Sequence, residues 1–413
     1  MRVRIHRGAH EIGGNCIEVT AGDDRIVLDL GRPLSAGWDD EVQLPPIVGL
    51  ASRDPRMHGV VLSHPHLDHY GLAHQLSPDV PVYLGAEAAR VLEAAAFFSP
   101  MSRSPHVTGY LSDRTPFRLG PFTVTPYLVD HSAFDSYSLL VEAYGRRLFY
   151  TGDIRAHGRK SRLFDRLVRA TPGADVLLME GTNVRATNAV VPRTTEHDVE
   201  EQLLGTFRAT QGLVATFSSA QNLDRLVTVY RAARRAHRTL VVDLYTATVA
   251  QATGRRTIPQ PGFQGLQVYV PQRQRQLVLQ SREFARVAEI AHIRRFPEDL
   301  ATDRGKVAYL GTSSTARELV DAGALRDGAV VWSLWHGYLE EQSGLRLQKL
   351  LEEAEVPLFE HHTSGHAHVA DLARLVDAFP SARVVPIHSE AANQFDKHFP
   401  RVKCHADGEW WEV

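Results

Sequence analysis

The chain has 413 residues, of which 43% are hydrophobic and 23% are charged, and its formal net charge at pH 7 is -2. This composition is ordinary for a globular protein, and the length allows two domains. No run of about 18 apolar residues occurs and the N-terminus lacks the apolar segment of a signal peptide, so we expect a cytoplasmic protein without a membrane partner. The net charge excludes a globally basic nucleic-acid binder.

Two cysteines, Cys16 and Cys404, are the only ones in the sequence. This number is too small for a disulfide scaffold or for a thiolate-rich zinc site. Any metal chemistry must therefore depend on histidine and carboxylate side chains.

Short β-rich segments separated by glycine and proline turns fill the first part of the chain. Strands are predicted at 2–7, 16–21, 25–30 and 60–63 and, after a helix at 86–98, at 122–128, 138–143 and 147–151. From about Thr195, longer helical segments alternate with short apolar runs at 213–217, 239–243 and 330–333. Such runs are typical of parallel strands between helices. The sequence therefore predicts two α/β units.

Four candidate metal ligands lie within six residues, His64-Pro65-His66-Leu67-Asp68-His69, directly after the predicted strand. Each of these side chains needs a polar partner when it leaves water, and a divalent metal ion satisfies all of them together. A lone histidine is more often a surface or hydrogen-bonded residue, but that interpretation fits the whole cluster poorly. We expect His64 and His66 in a turn after the strand and Asp68 and His69 at the start of a helix, so that one loop serves two adjacent metal ions.

More candidate ligands follow predicted strands downstream. His131 comes after the strand at 122–128, Asp153 after the strand at 147–151, and His388 after the apolar run at 384–387. A polar residue at a strand end is often only a cap or a turn former. Several strand ends that each carry histidine or aspartate nevertheless indicate a single site.

The sequence resembles the metallo-β-lactamase superfamily in the order of these residues: Asp29 in Leu28-Asp29-Leu30-Gly31, the cluster at 64–69, His131, Asp153 in Thr151-Gly152-Asp153, and His388. The resemblance spans almost the whole chain and implies a four-layer αββα sandwich with a two-metal site at one edge. It implies that one metal ion is held by His64, His66 and His131. It also implies that Asp68, His69 and His388 hold the other ion and that Asp153 bridges the two.

The long separation between Asp153 and His388 indicates an inserted domain, as in the β-CASP branch that includes ribonuclease J and DNA-repair nucleases. Further matches to that branch are Glu180 in Met179-Glu180-Gly181-Thr182-Asn183, His366 in Thr363-Ser364-Gly365-His366-Ala367, His388 in Pro386-Ile387-His388-Ser389, and the opening Ile12-Gly13-Gly14-Asn15. We therefore expect an α/β fold with a metallo-β-lactamase domain at 1–190, an inserted β-CASP domain at 191–350 and the completion of the first domain at 351–413.

The resemblance implies a nuclease that hydrolyses phosphodiester bonds with two divalent cations. Zinc is favoured as the metal, although manganese also fits carboxylate-containing sites. A histidine at the position of His388 resembles the RNA-acting members, so single-stranded RNA is favoured over DNA as the partner. Because the sequence ends at Val413, we expect no counterpart of the further C-terminal domain of typical ribonuclease J, and a homodimer stays open.

The other candidate residues each have a functional and a structural interpretation. Asp29 is expected to accept the second ring N–H of a ligand histidine, or else to be a turn residue. His366, oriented by Glu180, is expected to protonate the leaving oxygen or to stabilise the phosphate, or else to cap a helix that starts near Val369. Asp68 is also expected to be a catalytic residue. Contacts to substrate phosphate are expected from Ser218, Ser219, Ser364 and Gly365. Helix N-capping is the alternative for the first two of these serines.

A basic stretch runs from Arg231 to Arg304, with 13 arginines and 6 acidic residues. It is typical either of a solvated helix face or of a groove that follows a phosphate backbone. Alternatives to a ribonuclease are a DNA nuclease of repair or defence, a small-molecule hydrolase of the lactonase or thioesterase kind, and a catalytically silent binding subunit. The basic insertion argues against the small-molecule hydrolase, and the complete ligand set argues against the silent subunit.

Overall fold

The chain divides into two compact units. The computed structural model describes residues 1–37, 39–185 and 193–413. The first unit comprises Met1–Arg193 and Gly365–Val413, and the second comprises Thr194–Ser364. The predicted boundary between residues 190 and 191 lies outside the described residues. Strands and helices are numbered below in chain order.

Two β-sheets form the centre of the first unit. The first sheet consists of β1 (Arg2–Arg7), β2 (Cys16–Ala21), β3 (Asp24–Leu30), β4 (Met57–Val61), β5 (Val82–Gly85), β6 (Gly109–Leu111) and β20 (Trp410–Glu412), in the order β20-β1-β2-β3-β4-β5-β6. The second consists of β7 (Phe117–Leu119), β8 (Phe122–Leu128), β9 (Tyr137–Ala143), β10 (Arg146–Tyr150), β11 (Val176–Glu180) and β19 (Arg383–Ile387), in the order β19-β11-β10-β9-β8-β7. Strand β4 runs parallel to β3, and β11 runs parallel to both β10 and β19.

Alternation of side chains along the strands gives each sheet an inner and an outer apolar face. Leu28 and Val61 of the first sheet pack with Val141 and Leu148 of the second in one buried cluster between the sheets. The outer face of the first sheet packs against α2 (Ala86–Ala96), and that of the second against α3 (Arg162–Arg169) and α13 (Val369–Ala378). These layers form the predicted αββα sandwich.

The helix predicted after the histidine cluster is short. Helix α1 covers only Leu67–Tyr70, and a 3₁₀ turn follows at Ala73–Gln75. The chain is tightly packed here, because a Cβ added to Gly31 would lie 1.7 Å from the carbonyl oxygen of Asp68. A glycine at this position therefore lets the end of β3 approach the backbone of the candidate ligand loop.

The second unit is an α/β insertion around one parallel sheet. Its strands are β12 (Val214–Phe217), β13 (Thr239–Asp243), β14 (Leu266–Tyr269), β15 (Arg294–Arg295), β16 (Val307–Gly311), β17 (Ala329–Trp332) and β18 (Leu358–Glu360), in the order β15-β14-β13-β16-β12-β17-β18. Its helices are α4 (Glu196–Ala209), α5 (Leu223–Arg235), α6 (Leu244–Ala252), α7 (Gln272–Ser281), α8 (Ala285–Ala288), α9 (Pro297–Thr302), α10 (Ala316–Asp321), α11 (Gly337–Glu340) and α12 (Gln342–Glu353).

The end of the insertion differs from the sequence prediction. Residue 350, where we expected the insertion to end, lies inside α12. The chain then continues into β18, which pairs with β17 in the same sheet, and the unit ends at Ser364. In the three described segments, no helix has both the length and the apolar character that crossing a bilayer requires.

Candidate metal centre

The candidate ligands lie where strands of both sheets end. His64 follows β4, Asp153 follows β10 and His388 follows β19. Carboxyl ends of parallel strands meet at one edge of a sheet, so the topology brings these side chains together. The backbone is unusual at this edge, since Asp29 and His388 have φ angles of 56° and 55°. Non-glycine residues rarely adopt this left-handed conformation, and those that do concentrate at functional sites.

Two groups of ligand atoms form at this edge, and within each group the atoms lie within 4.8 Å of one another. The first group, called site A below, is His64, His66, His131 and Asp153, and the second, site B, is Asp68, His69, Asp153 and His388. Asp153 belongs to both, with Oδ2 3.5 Å from Nε2 of His64 and 3.1 Å from Nε2 of His69. The structure thus gathers all seven candidate ligands in one place.

Buried polar atoms at both sites lack hydrogen-bond partners among the described residues. They are Nε2 of His64, His69 and His388 and both carboxylate oxygens of Asp153. The His69–Asp153 contact has the distance of an ion pair but not the direction of a hydrogen bond. A buried polar group without a partner costs about 1–3 kcal/mol. Imidazole nitrogens and a carboxylate are common ligands of divalent cations, so the donor set fits a metal centre.

The electrostatics favour the metal-binding protonation states of the site A histidines and of Asp153. At His69 of site B, burial opposes protonation, but the carboxylates of Asp153, Asp68 and Asp29 outweigh it and raise the pKa well above the usual value, so metal binding there must displace a proton. Burial lowers the pKa of His64 and His131 well below the usual value and lowers that of His66 to about 4. Burial alone would raise the pKa of Asp153, but the neighbouring His388 and His69 hold it well below its usual range. Neutral imidazoles and an ionised carboxylate are the forms that coordinate metal.

Asp29 and Gly365 form hydrogen bonds with the Nδ1 atoms of two ligand histidines, His69 and His131. Asp29 is fully buried, and its Oδ2 lies 2.7 Å from Nδ1 of His69 and 2.7 Å from the donating Oγ of Ser63. The carbonyl oxygen of Gly365 accepts a bond of 2.6 Å from Nδ1 of His131. Such partners fix the ring and leave Nε2 for the metal. A Cβ at Gly365 would lie 3.1 Å from Cε1 of His131, so the close approach favours glycine.

His366 lies beside the metal-ligand groups and is held by Glu180 and Thr182. Its Nδ1 is 3.4 Å from Oε2 of Glu180 and 3.1 Å from Oγ1 of Thr182. Burial opposes protonation of His366, but the carboxylates of Glu180 and Asp153 outweigh it and raise its pKa to about 9. The helix-capping alternative does not describe this histidine, because the N-cap of α13 is His368.

Comparisons with known proteins agree with this geometry. A protein-family model, that of the beta-lactamase superfamily domain, matches residues 34–217 of the sequence. This stretch is somewhat less than half of the chain, and it is similar to the metallo-β-lactamase superfamily. A crystal structure of a protein of unknown function from Enterococcus faecalis V583 has a TM-score of 0.81 and covers 99% of both chains at 19% identity. That likeness shows a shared fold.

Two ribonucleases J are similar to this chain. The protein from Sinorhizobium meliloti is 24% identical over 367 residues, which are 86% of this chain and 61% of that protein. The protein from Synechocystis sp. is 27% identical over 248 residues, which are 57% of this chain and 38% of that protein. The chain therefore spans about three fifths of the first relative and less than two fifths of the second.

The predicted phosphate-binding residues are divided between the chain's two units. Ser218 and Ser219 are in the insertion, between β12 and α5, and Ser364 is its last residue. The N-cap of α5 is Asn222, so neither of the first two serines caps this helix. The Oγ of Ser218 is buried without a hydrogen-bond partner in the described structure. Gly365 belongs to the first unit, where its carbonyl supports His131.

Sequence reasoning assigned no role to two buried residues at this centre, Asn15 and Tyr150. The Oη of Tyr150 donates to Asp29 over 2.6 Å, and the side chain of Asn15 contacts both Tyr150 and His388. The motif Ile12-Gly13-Gly14-Asn15 was a signal for Asn15. No motif of this kind includes Tyr150, which has the sequence neighbours of an ordinary buried strand residue.

Proposed function

We propose that this chain is a two-metal ribonuclease of the β-CASP branch that hydrolyses phosphodiester bonds of single-stranded RNA in the cytoplasm. The observation that carries the proposal is that sites A and B share Asp153 and have the His366–Glu180 pair beside them. The similarity to two ribonucleases J supports RNA as the substrate.

Sites A and B would each hold one divalent cation, with Asp153 as the common ligand. The prevalence of imidazole among the ligands favours zinc. When bound, a pair of such ions activates water and neutralises the charge of the phosphate. His66 and Asp68 are the only ligands with partial solvent exposure in the described site, so they mark the side from which the phosphodiester approaches.

His366 is the proposed donor of the proton that the departing oxygen needs. Glu180 and Thr182 hold Nδ1, so the ring would deliver the proton from Nε2. Glu180 is itself fixed, because its Oε1 lies 3.3 Å from the donating backbone nitrogens of Ile154 and Ala367. A carboxylate held in this way keeps the imidazolium charged and correctly turned before the substrate arrives.

Arginines of the insertion divide into structural and solvent-exposed members. Arg238 is buried and donates to the carbonyl oxygens of Gly212 and Val307, so it stabilises the fold. Arg231, Arg273 and Arg282 are exposed. Exposed cations on a substrate-binding unit would contact an RNA backbone and make affinity fall with salt.

A single-turnover cleavage assay tests the proposal. End-labelled RNA and DNA of one sequence are incubated with excess zinc-loaded enzyme, and wild type is compared with Asp68→Ala and His69→Ala. His336→Ala is the matched control, because this histidine is exposed and lies in the insertion. We expect RNA cleavage by the wild type and the control, with loss in both site variants.

Other results would overturn this function. Full RNA cleavage by both site variants would remove the assigned site, and preferential cleavage of DNA would replace the ribonuclease with a DNA nuclease. RNA with 5′-monophosphate and 5′-triphosphate ends, run side by side, determines the end preference. Hydrolysis of lactone or thioester substrates without any nuclease activity would favour the small-molecule alternative.

A further inference from the structure

A chain of buried hydrogen bonds, called the relay below, connects the two histidines of site B. Nδ1 of His388 lies 3.1 Å from Oδ1 of Asn15, and Nδ2 of Asn15 donates to Oη of Tyr150 over 3.2 Å. Oη of Tyr150 then donates to Oδ2 of Asp29 over 2.6 Å, and the same oxygen accepts from Nδ1 of His69 over 2.7 Å. All five side chains are at most 1% exposed.

The hydrogen atoms of this relay can be assigned to its donors in only one way. An ionised Asp29 can only accept, so both Tyr150 Oη and His69 Nδ1 must carry hydrogen. Burial and the charge of Asp29 raise the pKa of Tyr150 well above its usual value, which keeps the phenol proton in place. The amide of Asn15 donates to Tyr150 and therefore accepts from His388 through Oδ1. In the neutral form that binds metal, each histidine then presents Nε2 without hydrogen.

One competing contact exists at His388. The backbone N–H of Gly13 lies 3.3 Å from the same Nδ1, and Nδ1 could accept this bond only without hydrogen, which would exclude its donation to Asn15. The Asn15 contact is shorter and continues the relay to a carboxylate, so it determines the tautomer. Asn15 is further tied to site B because its backbone nitrogen donates to the carbonyl oxygen of Asp68 over 2.9 Å.

We propose that Asn15 and Tyr150 are positioning residues that act on site B and not on site A. The inference rests on the two-metal site of the proposed function and adds residues to it. Asp29 serves both sites, since it also accepts from Ser63, whose Oγ lies 2.9 Å from Nδ1 of His64. No contact in the described residues joins Asn15 or Tyr150 to a histidine of site A. Replacement of either residue should therefore weaken binding of the cation at site B and leave binding at site A unchanged.

Equilibrium dialysis of the full chain against zinc at graded chelator concentrations tests this inference. Wild type is compared with Tyr150→Phe, Asn15→Ala and the double variant. Tyr309→Phe is the matched control, because Tyr309 is equally buried but lies in the insertion. Circular dichroism confirms that each variant is folded, and Co²⁺ absorption reports the geometry of each site independently of zinc content.

We expect two zinc ions per chain in the wild type and in Tyr309→Phe. In Tyr150→Phe and Asn15→Ala, one ion should keep its affinity and the other should bind about 10- to 100-fold more weakly. The double variant should lose little more than the weaker single variant, because both changes break one relay. Unchanged affinity in both single variants, or an equal loss at both sites, would overturn the inference.

The same data separate this inference from the proposed function. A wild type that binds fewer than two ions overturns both. A wild type that binds two ions but cleaves no RNA overturns the ribonuclease, while the selective weakening of one ion would still support the relay.

Discussion

Nδ1 of His366 lies 3.4 Å from Oε2 of Glu180, and both residues belong to the first unit although 185 residues of chain separate them. Glu180→Gln keeps the shape of this side chain and removes its charge. General acid catalysis typically contributes about 10²- to 10⁴-fold, so we expect the single-turnover rate constant to fall within this range for His366→Ala and by less for Glu180→Gln. Single-turnover cleavage assays measure the rate constants of both variants. The zinc content of each variant should match that of the wild type.

The pH dependence of Glu180→Gln should shift in one direction. Glu180 helps to raise the pKa of His366 to about 9, so its neutralisation lowers that pKa. A raised histidine pKa keeps the acid protonated up to higher pH, and lowering it makes the protonated form disappear earlier as pH rises. The alkaline limb of the rate profile should therefore move to lower pH. An unmoved limb would contradict the role of Glu180.

Asp153 is the one ligand common to sites A and B, so its replacement should affect both cations. We expect Asp153→Ala to lose most of both zinc ions during dialysis, whereas His131→Ala should lose mainly the ion of site A. His368→Ala is a suitable control, since this buried histidine belongs to neither group. Metal analysis of the purified proteins distinguishes the cases. Retention of one tight ion in Asp153→Ala would show that the sites do not share this ligand.

Removal of metal should destabilise the protein, because buried site atoms then lack partners. A ligand at 100 times its Kd stabilises the folded state by about 2.7 kcal/mol. For a unit of this size, that corresponds to an increase in Tm of about 5–10 °C. Thermal unfolding with and without chelator measures the difference. The Asp68→Ala and His69→Ala variants should show a smaller shift, and an equal shift in all three proteins would assign it to other metal sites.

Much of the fold and of the ligand set followed from local sequence. Apolar runs fixed strands such as β3, β8 and β13 to within a residue or two, because strand burial leaves a short-range pattern. His64 and its neighbours were recognisable because charged or polar groups at strand ends are unusual in such density. The αββα arrangement and the inserted unit were implied by the resemblance of those residues to the metallo-β-lactamase superfamily and its β-CASP branch.

Other features depend on contacts that sequence does not display. Tyr150 has the apolar neighbours of any buried strand residue, and only folding places its hydroxyl beside Asp29. The end of the insertion was placed at residue 350 because the short strand β18 carries no strong periodic signal. Pairing with β17 is a tertiary effect, and it keeps the chain in the second unit as far as Ser364.

The insertion contains a buried ion pair whose loss should be costly. Arg225 and Glu196 are at most 1% exposed, and their contact measures 3.1 Å. Arg225→Ala would leave the Glu196 carboxylate buried without its cation. Removing one partner of a buried pair destabilises by about 3–5 kcal/mol. We expect a loss of this size in the free energy of unfolding, measured by urea denaturation.

Arg235 on the same helix provides the matched control. It pairs with the exposed Glu201 and with the buried Glu200, but Arg235 itself is exposed, so solvent screens both contacts and their contribution to stability is small. Arg235→Ala should therefore unfold at nearly the wild-type urea concentration. Because the metal ligands are all in the first unit, folded Arg225→Ala should keep its zinc. Equal destabilisation by the two variants would mean that burial of the Arg225 pair carries no special cost, since both substitutions remove an arginine from one helix.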